Sequence, residues 1–180
     1  MTNWCHNGLT LKHTDPAMID RAQQCDGLLM EFLPTPDALR ETSAGFFREE
    51  DMTTEQRDIR DRNIQMYGSA DWYDWNIRNW GIKWDFEFET VDRVDAHTLT
   101  VSFESALKPP VEAYARLEEL GFEIDARYYE PEMCFVGTYV TDKIDCTISY
   151  TGNPDTIREE IGEELDDYFG ISKEVLHLSV

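Results

Sequence analysis

The sequence predicts an α+β fold, in which helices cover one face of an antiparallel sheet. The chain has 180 residues, of which 41% are hydrophobic, and this is enough to bury one core in a single domain. Its apolar residues recur at period two in some segments and at helical period in others. Between residues 4 and 130 these segments follow the order strand, helix, strand, strand, helix, strand. That order is the split βαβ arrangement of ferredoxin-like domains.

The first strand is predicted over residues 4–12, and a helix is predicted to follow it. Asp15 is a favourable N-cap, and Pro16 then takes the first helical position, where its missing N–H is not needed. The helix should end before residues 34–36, Pro-Thr-Pro, because proline cannot continue a helix. One apolar stripe at helical spacing marks its buried face: Met18, Ala22, Cys25, Leu29 and Phe32.

Residues 34–80 are predicted to be a helical insertion in this domain. Most of the segment is polar and charged, and its best helix is expected near residues 53–66. A shorter helix is expected from the N-cap Asp71 to Trp80, with Gly81 ending it.

The sheet is predicted to continue after the insertion. Alternating residues indicate strands at 84–89, 97–105 and 122–130, and a helix between Pro109 and Gly121 separates the last two. In each strand the apolar side chains share one face, which the predicted helices should cover.

Residues 131–180 are predicted to be an extension made of a hairpin and an acidic helix. The hairpin is expected to turn at Thr141-Asp142, and Asp155 is expected to cap a helix over residues 155–169. A short final strand is expected in the sequence EVLHLSV.

The composition is strongly acidic. Lysine and arginine number 16 against 37 aspartates and glutamates, which gives a net charge of −21. That charge opposes binding to DNA, RNA or an anionic membrane, and it suits a basic protein partner or the imitation of a polyanion. No segment approaches the roughly 18–20 apolar residues of a membrane span. The start of the chain has no basic region before an apolar run, so we expect a cytoplasmic protein.

The predicted last helix is the strongest electrostatic feature. Apolar residues form one stripe on it, and its other faces carry Glu159, Glu160, Glu163, Glu164 and Asp167. Carboxylates about 6 Å apart along a helix could take positions that phosphates fill on a basic protein. We therefore predict that these five residues bind a basic host protein that handles nucleic acid. The alternative is a solvated amphipathic helix with no partner.

The segment WYDWNIRNWGIKWDFEFE, residues 72–89, holds four of the five tryptophans. One of them, Trp84, shares a predicted strand face with Phe86 and Phe88. Because the predicted helices should cover that face, we expect Trp84 in the core.

The other tryptophans of this segment have two interpretations. Trp72, Trp75 and Trp80 are expected to pack the insertion against the rest of the domain. The alternative is a binding site for a small ligand or a peptide, in which Trp72, Tyr73 and Trp75 line a cleft. Trp and Tyr are the residues that dominate such sites.

The sequence contains none of the common catalytic motifs. It lacks a Gly-x-Ser-x-Gly turn, a phosphate-binding glycine-rich loop and a His-Glu-x-x-His metal site. Its four cysteines form no Cys-x-x-Cys pair, so we expect free thiols and no metal or cofactor. We therefore predict a non-enzymatic protein. The catalytic alternative is Cys134 paired with a histidine as nucleophile and base.

Four segments carry a resemblance to a known family: NWCHNGLTL, FLPTPDALRET, DWYDWNIRNWGIKWD and YYEPEMCFVGTY. In this order, up to about residue 150, the chain resembles the YubB family of phage-, plasmid- and island-borne bacterial proteins. The resemblance implies a ferredoxin-like fold and an origin in a mobile genetic element. It implies no catalytic residue, because no activity is established for the family.

Overall fold

The computed structural model describes residues 3–43, 49–143 and 145–178. The strands in these residues are β1 (Trp4–Lys12), β2 (Thr90–Asp95), β3 (Thr98–Ala106), β4 (Glu123–Glu130), β5 (Phe135–Val140) and β6 (Cys146–Ser149). They form one antiparallel sheet in the order β2-β3-β1-β4-β5-β6, with β1 and β4 at its centre. The sheet and its helices confirm the predicted α+β class.

The helices in these residues are α1 (Pro16–Gln24), α2 (Leu28–Phe32), α3 (Asp37–Arg40), α4 (Thr54–Tyr67), α5 (Trp72–Trp80), α6 (Val111–Glu119), α7 (Ile157–Ile161), α8 (Glu163–Phe169) and α9 (Ile171–Leu178). Within the described ranges, none of them has the length and apolar character needed to cross a membrane. The segment 34–80 contains α3, α4 and α5 in its described part. The division into one domain with an insertion and a C-terminal extension stays a prediction.

Helices α4 and α5 begin and end close to the positions that local sequence signals predict. Thr53 caps α4: its hydroxyl accepts a hydrogen bond from the Gln56 N–H, and the Gln56 side chain accepts one from the Thr53 N–H. Asp71 caps α5 by accepting a hydrogen bond of 2.9 Å from the Asp74 N–H. Gly81 ends α5 in the left-handed conformation, with φ at 81°.

The predicted first helix is divided into α1 and α2, and the predicted strand at residues 84–89 does not form. Asp85 explains both differences. Its carboxylate accepts hydrogen bonds from the N–H groups of Leu29 (3.1 Å) and Met30 (2.7 Å) in the first turn of α2. Gly27 leaves room for this carboxylate, because a Cβ at that position would overlap it. With Asp85 turned toward α2, residues 84–89 are irregular and β2 begins only after them.

The larger core lies on one face of the sheet. Alternate residues of β1, β3 and β4 point to this face, and α1, α2 and α6 cover them. The Phe103 ring of β3 stacks on Phe86, with the ring centroids 3.6 Å apart. The buried residues include Leu9, Leu11, Leu99, Val101, Ile124 and Ala126 from the sheet and Ile19, Leu28, Leu29, Ala113 and Leu117 from the helices.

A second, smaller core lies on the opposite face. Tyr129 of β4 comes three residues after the core residue Ala126, so its side chain points to the other face. Val136 of β5 pairs with Tyr129 and points the same way. The residues that cover them come from α7, α8 and α9: Ile157, Ile161, Leu165 and Ile171. Helices therefore lie on both faces of the sheet, and the prediction that they cover only one face is wrong.

The C-terminal segment contains the predicted hairpin, because β5 and β6 pair antiparallel. The predicted helix over residues 155–169 is broken at Gly162, whose φ of 85° and ψ of 153° are not helical. Its N-cap is Thr156 rather than Asp155. The predicted final strand is also wrong, because its described residues belong to α9, where Ile171 is buried in the second core. Its last two residues, 179–180, lie outside the described ranges.

Candidate functional site

The predicted acidic site lies on α7 and α8. The apolar residues of these helices are buried in the second core, so the helices are fixed to the sheet with their acidic residues turned away from it. Glu159 and Glu163 are exposed. Within the described part of the chain, neither side chain makes an ion pair or a hydrogen bond. Their carboxylates are therefore available to a partner.

Glu160 has a structural role instead. Its carboxylate accepts hydrogen bonds from the Thr156 hydroxyl (2.6 Å), and from the N–H (2.7 Å) and hydroxyl (2.8 Å) of Thr151. These contacts, with Thr156 first, lower the pKa of the Glu160 carboxyl. Glu160 thus joins the start of α7 to the segment that follows β6.

Glu164 and Asp167 combine exposure with ion pairs inside the protein. Glu164 contacts Arg127 of β4 at 2.8 Å, and Asp167 contacts Arg158 of α7 at 2.7 Å. Their side chains remain 76% and 68% exposed, respectively. Because exposed ion pairs contribute little to stability, both carboxylates can still attract a basic partner.

Asp166 is a structural residue of this site that the sequence analysis did not single out. Its side chain is only 2% exposed, and it accepts hydrogen bonds from the Ser172 N–H (2.7 Å), the Ser172 hydroxyl (2.8 Å) and Arg158 (2.7 Å). Burial alone would raise the pKa of this carboxyl, but the hydrogen bonds from Ser172 and Arg158 outweigh burial and lower the pKa. Asp166 therefore fixes the geometry of α7, α8 and α9, and no local pattern distinguishes it from its neighbour Asp167.

A second candidate site surrounds Lys83, in the segment after α5. The Lys83 Nζ lies 4.3 Å from the centroid of the Trp84 ring, 5.8 Å from that of Tyr73 and 5.9 Å from that of Trp72. Trp72 and Tyr73 meet edge to face, with their centroids 6.0 Å apart. We call these three rings the aromatic cluster. Trp84 is 47% exposed and Tyr73 38%, so the cluster faces solvent.

The expectations for Trp84 and Trp75 have different outcomes. Trp84 is exposed, so the prediction that it lies in the core is wrong; it assumed a strand that Asp85 prevents. Trp75 is not part of the aromatic cluster: it packs against the first core and meets Trp80 edge to face. Trp80 is buried, and its indole N–H donates to the Leu33 carbonyl at 2.9 Å. These two residues attach α5 to the first core, as expected.

Hydrogen bonds on both sides fix the backbone around Lys83. The Asn76 side chain of α5 donates to the Lys83 carbonyl at 2.9 Å and accepts from the buried Thr35 hydroxyl at 2.7 Å. Two residues further on, Asp85 is bound to the start of α2. The short segment between these anchors holds Trp84 at the surface beside α5.

A cleft of about 580 Å³ lies between α3, α4 and α5. Its wall includes Met52, Ile59, Asp71 and Asp74. Burial, and then the charge of Asp71, raise the pKa of the Asp74 carboxyl. Trp72, Tyr73 and Trp75, which were predicted to line a cleft, are not among the residues of this wall.

A cleft of the same size lies between α6 and the β5–β6 hairpin. The Tyr128 ring crosses β5 here, and its hydroxyl donates to Asp145 at 2.7 Å and contacts the Thr147 hydroxyl at 2.6 Å. Gly137 makes this possible, because a Cβ there would overlap both the tyrosine and the carbonyl of Cys146. The hydroxyl groups of this cleft thus serve to tie β4 to β6.

The described residues contain no group of three His, Cys, Asp or Glu side chains that could hold a metal ion. Burial raises the pKa of the Cys5 thiol to about 12 and that of the Cys25 thiol to about 11, so both are protonated at neutral pH. The Cys134 thiol contacts the Pro131 carbonyl at 3.5 Å.

Comparisons with known proteins give one distant likeness. No family model matches the sequence, and no curated protein matches it. Among solved structures, the chain is similar to the crystal structure of a protein api92 from Yersinia pseudotuberculosis, of the family model DUF1281. The TM-score is 0.46 and the sequence identity 14%, over 86% of this chain and 100% of that chain. This likeness is too distant to assign the chain to a family or to a function.

Proposed function

We propose that this chain is a non-enzymatic interaction protein that binds a basic partner through the acidic surface of α7 and α8. The proposed setting is the cytoplasm of a bacterium that carries a mobile genetic element. The proposed partner is a host protein that handles nucleic acid, with the carboxylates taking the place of phosphates. The resemblance to the YubB family supports this setting.

One observation carries the proposal: α7 and α8 are anchored through their apolar side, so the helix backbone that carries the acidic side chains is held in place. Residues 157–169 contain six acidic residues and one arginine. Arg158 forms its ion pairs with Asp166 and Asp167, and within the described structure Glu159 and Glu163 form none. A backbone fixed before association loses little conformational freedom on binding, and the acidic side chains attract an oppositely charged partner at long range.

The proposal is tested by charge reversal at the two exposed glutamates. The double variant Glu159→Lys/Glu163→Lys should lose a basic partner that wild-type protein captures from a bacterial lysate at low salt. The double variant Asp58→Lys/Asp61→Lys, on the exposed side of α4, makes the same charge change at another place and should retain that partner. If both double variants still capture the partner, or if high salt does not weaken its capture, the acidic surface is not the binding site.

A second candidate function is a binding module for a small ligand or a peptide that uses the tryptophan-rich insertion. The exposure of Tyr73 and Trp84, with Trp72 partly buried beside them, favours it, since clustered exposed aromatics are typical of binding sites. Acrylamide should quench the tryptophan fluorescence of wild-type protein more strongly than that of Trp84→Ala. Equal quenching would place the Trp84 ring out of reach of solvent and of ligands.

We also propose that the fold is ferredoxin-like, with β5 and β6 added to one edge. The order β2-β3-β1-β4 of the first four strands and their antiparallel pairing support this proposal. An experimental structure of the chain tests it.

A further inference from the structure

We propose that the aromatic cluster binds an arginine or lysine side chain from a basic segment of a partner protein, and that Lys83 is a built-in competitor for that position. The inference rests on the second candidate function and specifies its ligand. It is independent of the acidic surface, because α5 packs with α6 on the first-core side of the sheet and α7 and α8 lie on the opposite face.

The position of the Lys83 ammonium identifies the kind of ligand. Its Nζ lies within 6 Å of the centroids of three aromatic rings. At that distance the negative face of each ring attracts a cation. Within the described residues Lys83 makes no ion pair with a carboxylate. The rings themselves therefore hold the charge, which is how aromatic cages recognise cationic groups.

The cluster keeps its shape when Lys83 leaves it. Trp72 and Tyr73 belong to the capped helix α5, and Trp84 lies between the anchors at Asn76 and Asp85. Asn76 holds only the backbone of Lys83, through its carbonyl group, so the four-carbon side chain can rotate away. A cation from a partner can then take the same place without rearrangement of the backbone.

The surrounding charge favours a basic partner over an anionic one. Residues 71–89 contain five acidic residues and two basic ones, Arg78 and Lys83. The whole chain has a net charge of −21, which attracts a basic segment at long range and repels nucleic acid. An arginine guanidinium also stacks on tryptophan faces better than an ammonium does, so arginine should be the preferred residue.

The test uses two acetylated hexapeptides, one containing two arginines and one in which citrulline, a neutral isostere, replaces both. Binding to the full chain is measured at physiological salt by tryptophan fluorescence and calorimetry. The arginine peptide should bind more tightly than the citrulline peptide. Trp84→Ala should weaken its binding about three- to tenfold, whereas Trp4→Ala, which removes another exposed tryptophan (44%), should not.

Lys83→Met supplies the decisive comparison, because it keeps an unbranched side chain and removes the competing cation. It should tighten binding of the arginine peptide about fivefold, as expected from loss of an exposed cation–π contact. Lys173→Met, an exposed lysine on α9, removes the same charge elsewhere and should have little effect. Equal affinities of these two variants would overturn the competitor role of Lys83.

The remaining outcomes separate this inference from the function on which it rests. If both peptides bind equally and both depend on Trp84, the cluster is a binding site but not one for cations. If neither peptide shows binding that depends on Trp84, both the inference and the second candidate function are wrong. Charge reversal at Glu159 and Glu163 should leave the effect of Lys83→Met unchanged.

Discussion

Replacing Asp166 with asparagine should destabilise the protein much more than the same change at Asp167. The two residues are adjacent in α8 and both contact Arg158. Asp166 is 2% exposed and also accepts two hydrogen bonds from Ser172, at the start of α9. Asp167 is 68% exposed. The pair therefore compares a buried carboxylate with an exposed one of the same charge.

The magnitude follows from the contacts that each change removes. The Asp166 Oδ1 accepts from the Ser172 N–H, and its Oδ2 accepts from the Ser172 hydroxyl and from Arg158. An asparagine keeps only one of these oxygens, and its amide N–H group then faces the donors of the other. A buried hydrogen bond to a charged group contributes about 1.5–3 kcal/mol, and unpaired donors add to the loss. We expect Asp166→Asn to lower the free energy of unfolding by about 3 kcal/mol, and Asp167→Asn by less than about 1 kcal/mol.

The effect should also depend on pH. The folded-state pKa of Asp166 lies below its unfolded value of about 3.9, because the hydrogen bonds outweigh burial. A lowered folded-state pKa contributes stability that is fully present above the unfolded pKa and is lost as pH falls through the folded pKa. The difference between wild type and Asp166→Asn should therefore be largest near neutral pH and should shrink in acid.

Urea unfolding followed by circular dichroism measures these differences at neutral and acidic pH. The control Asp167→Asn is unfolded under the same conditions. Equal transition midpoints for the two variants at neutral pH would refute the reasoning. So would a difference between wild type and Asp166→Asn that grows as the pH is lowered.

Three further predictions concern other contacts. Gly137→Ala should lower the free energy of unfolding by about 1–3 kcal/mol, measured in urea, because the new methyl group overlaps the tyrosine that crosses β5; wild-type stability would contradict this. Asp85→Ala should lower the free energy of unfolding by about 1–2 kcal/mol, because it removes the carboxylate that caps α2. Glu87→Ala changes an exposed neighbour and should lower it little, so equal urea midpoints for the two variants would argue against the cap. In the native protein a thiol reagent should modify the exposed Cys146 and spare the buried Cys5, whose raised pKa also keeps it protonated. Rapid modification of Cys5 would show that the core around it opens to solvent.

Elements with local signals could be predicted from the sequence. Helix α5 has an aspartate at its N-cap and a glycine after its last residue, and both act as expected. The same holds for the first strand, which has the predicted bounds, and for the hairpin of β5 and β6. In each case the residues that decide the structure lie within or next to the element itself.

The errors come from contacts between residues far apart in sequence. Asp85 lies 56 residues from Leu29 and accepts a hydrogen bond from its N–H group. This contact divides the predicted first helix and prevents the predicted strand at residues 84–89. As a result Trp84 changes from a core residue into a member of the aromatic cluster. The contact with Ser172 similarly gives Asp166 a structural role that its neighbour Asp167 does not have. Periodicity and propensity contain no information about such partners.

The central position of β1 has a consequence for synthesis of the protein on the ribosome. Trp4 pairs with Ala106 across β1 and β3, and His6 pairs with Tyr129 across β1 and β4. Translation proceeds at roughly 5–20 residues per second, so the second neighbour of β1 is made on the order of ten seconds after β1 itself. Throughout that interval the apolar side chains of Leu9 and Leu11 cannot be buried, because the sheet that forms their core is incomplete. The nascent chain must therefore keep β1 from associating wrongly until β4 has been made.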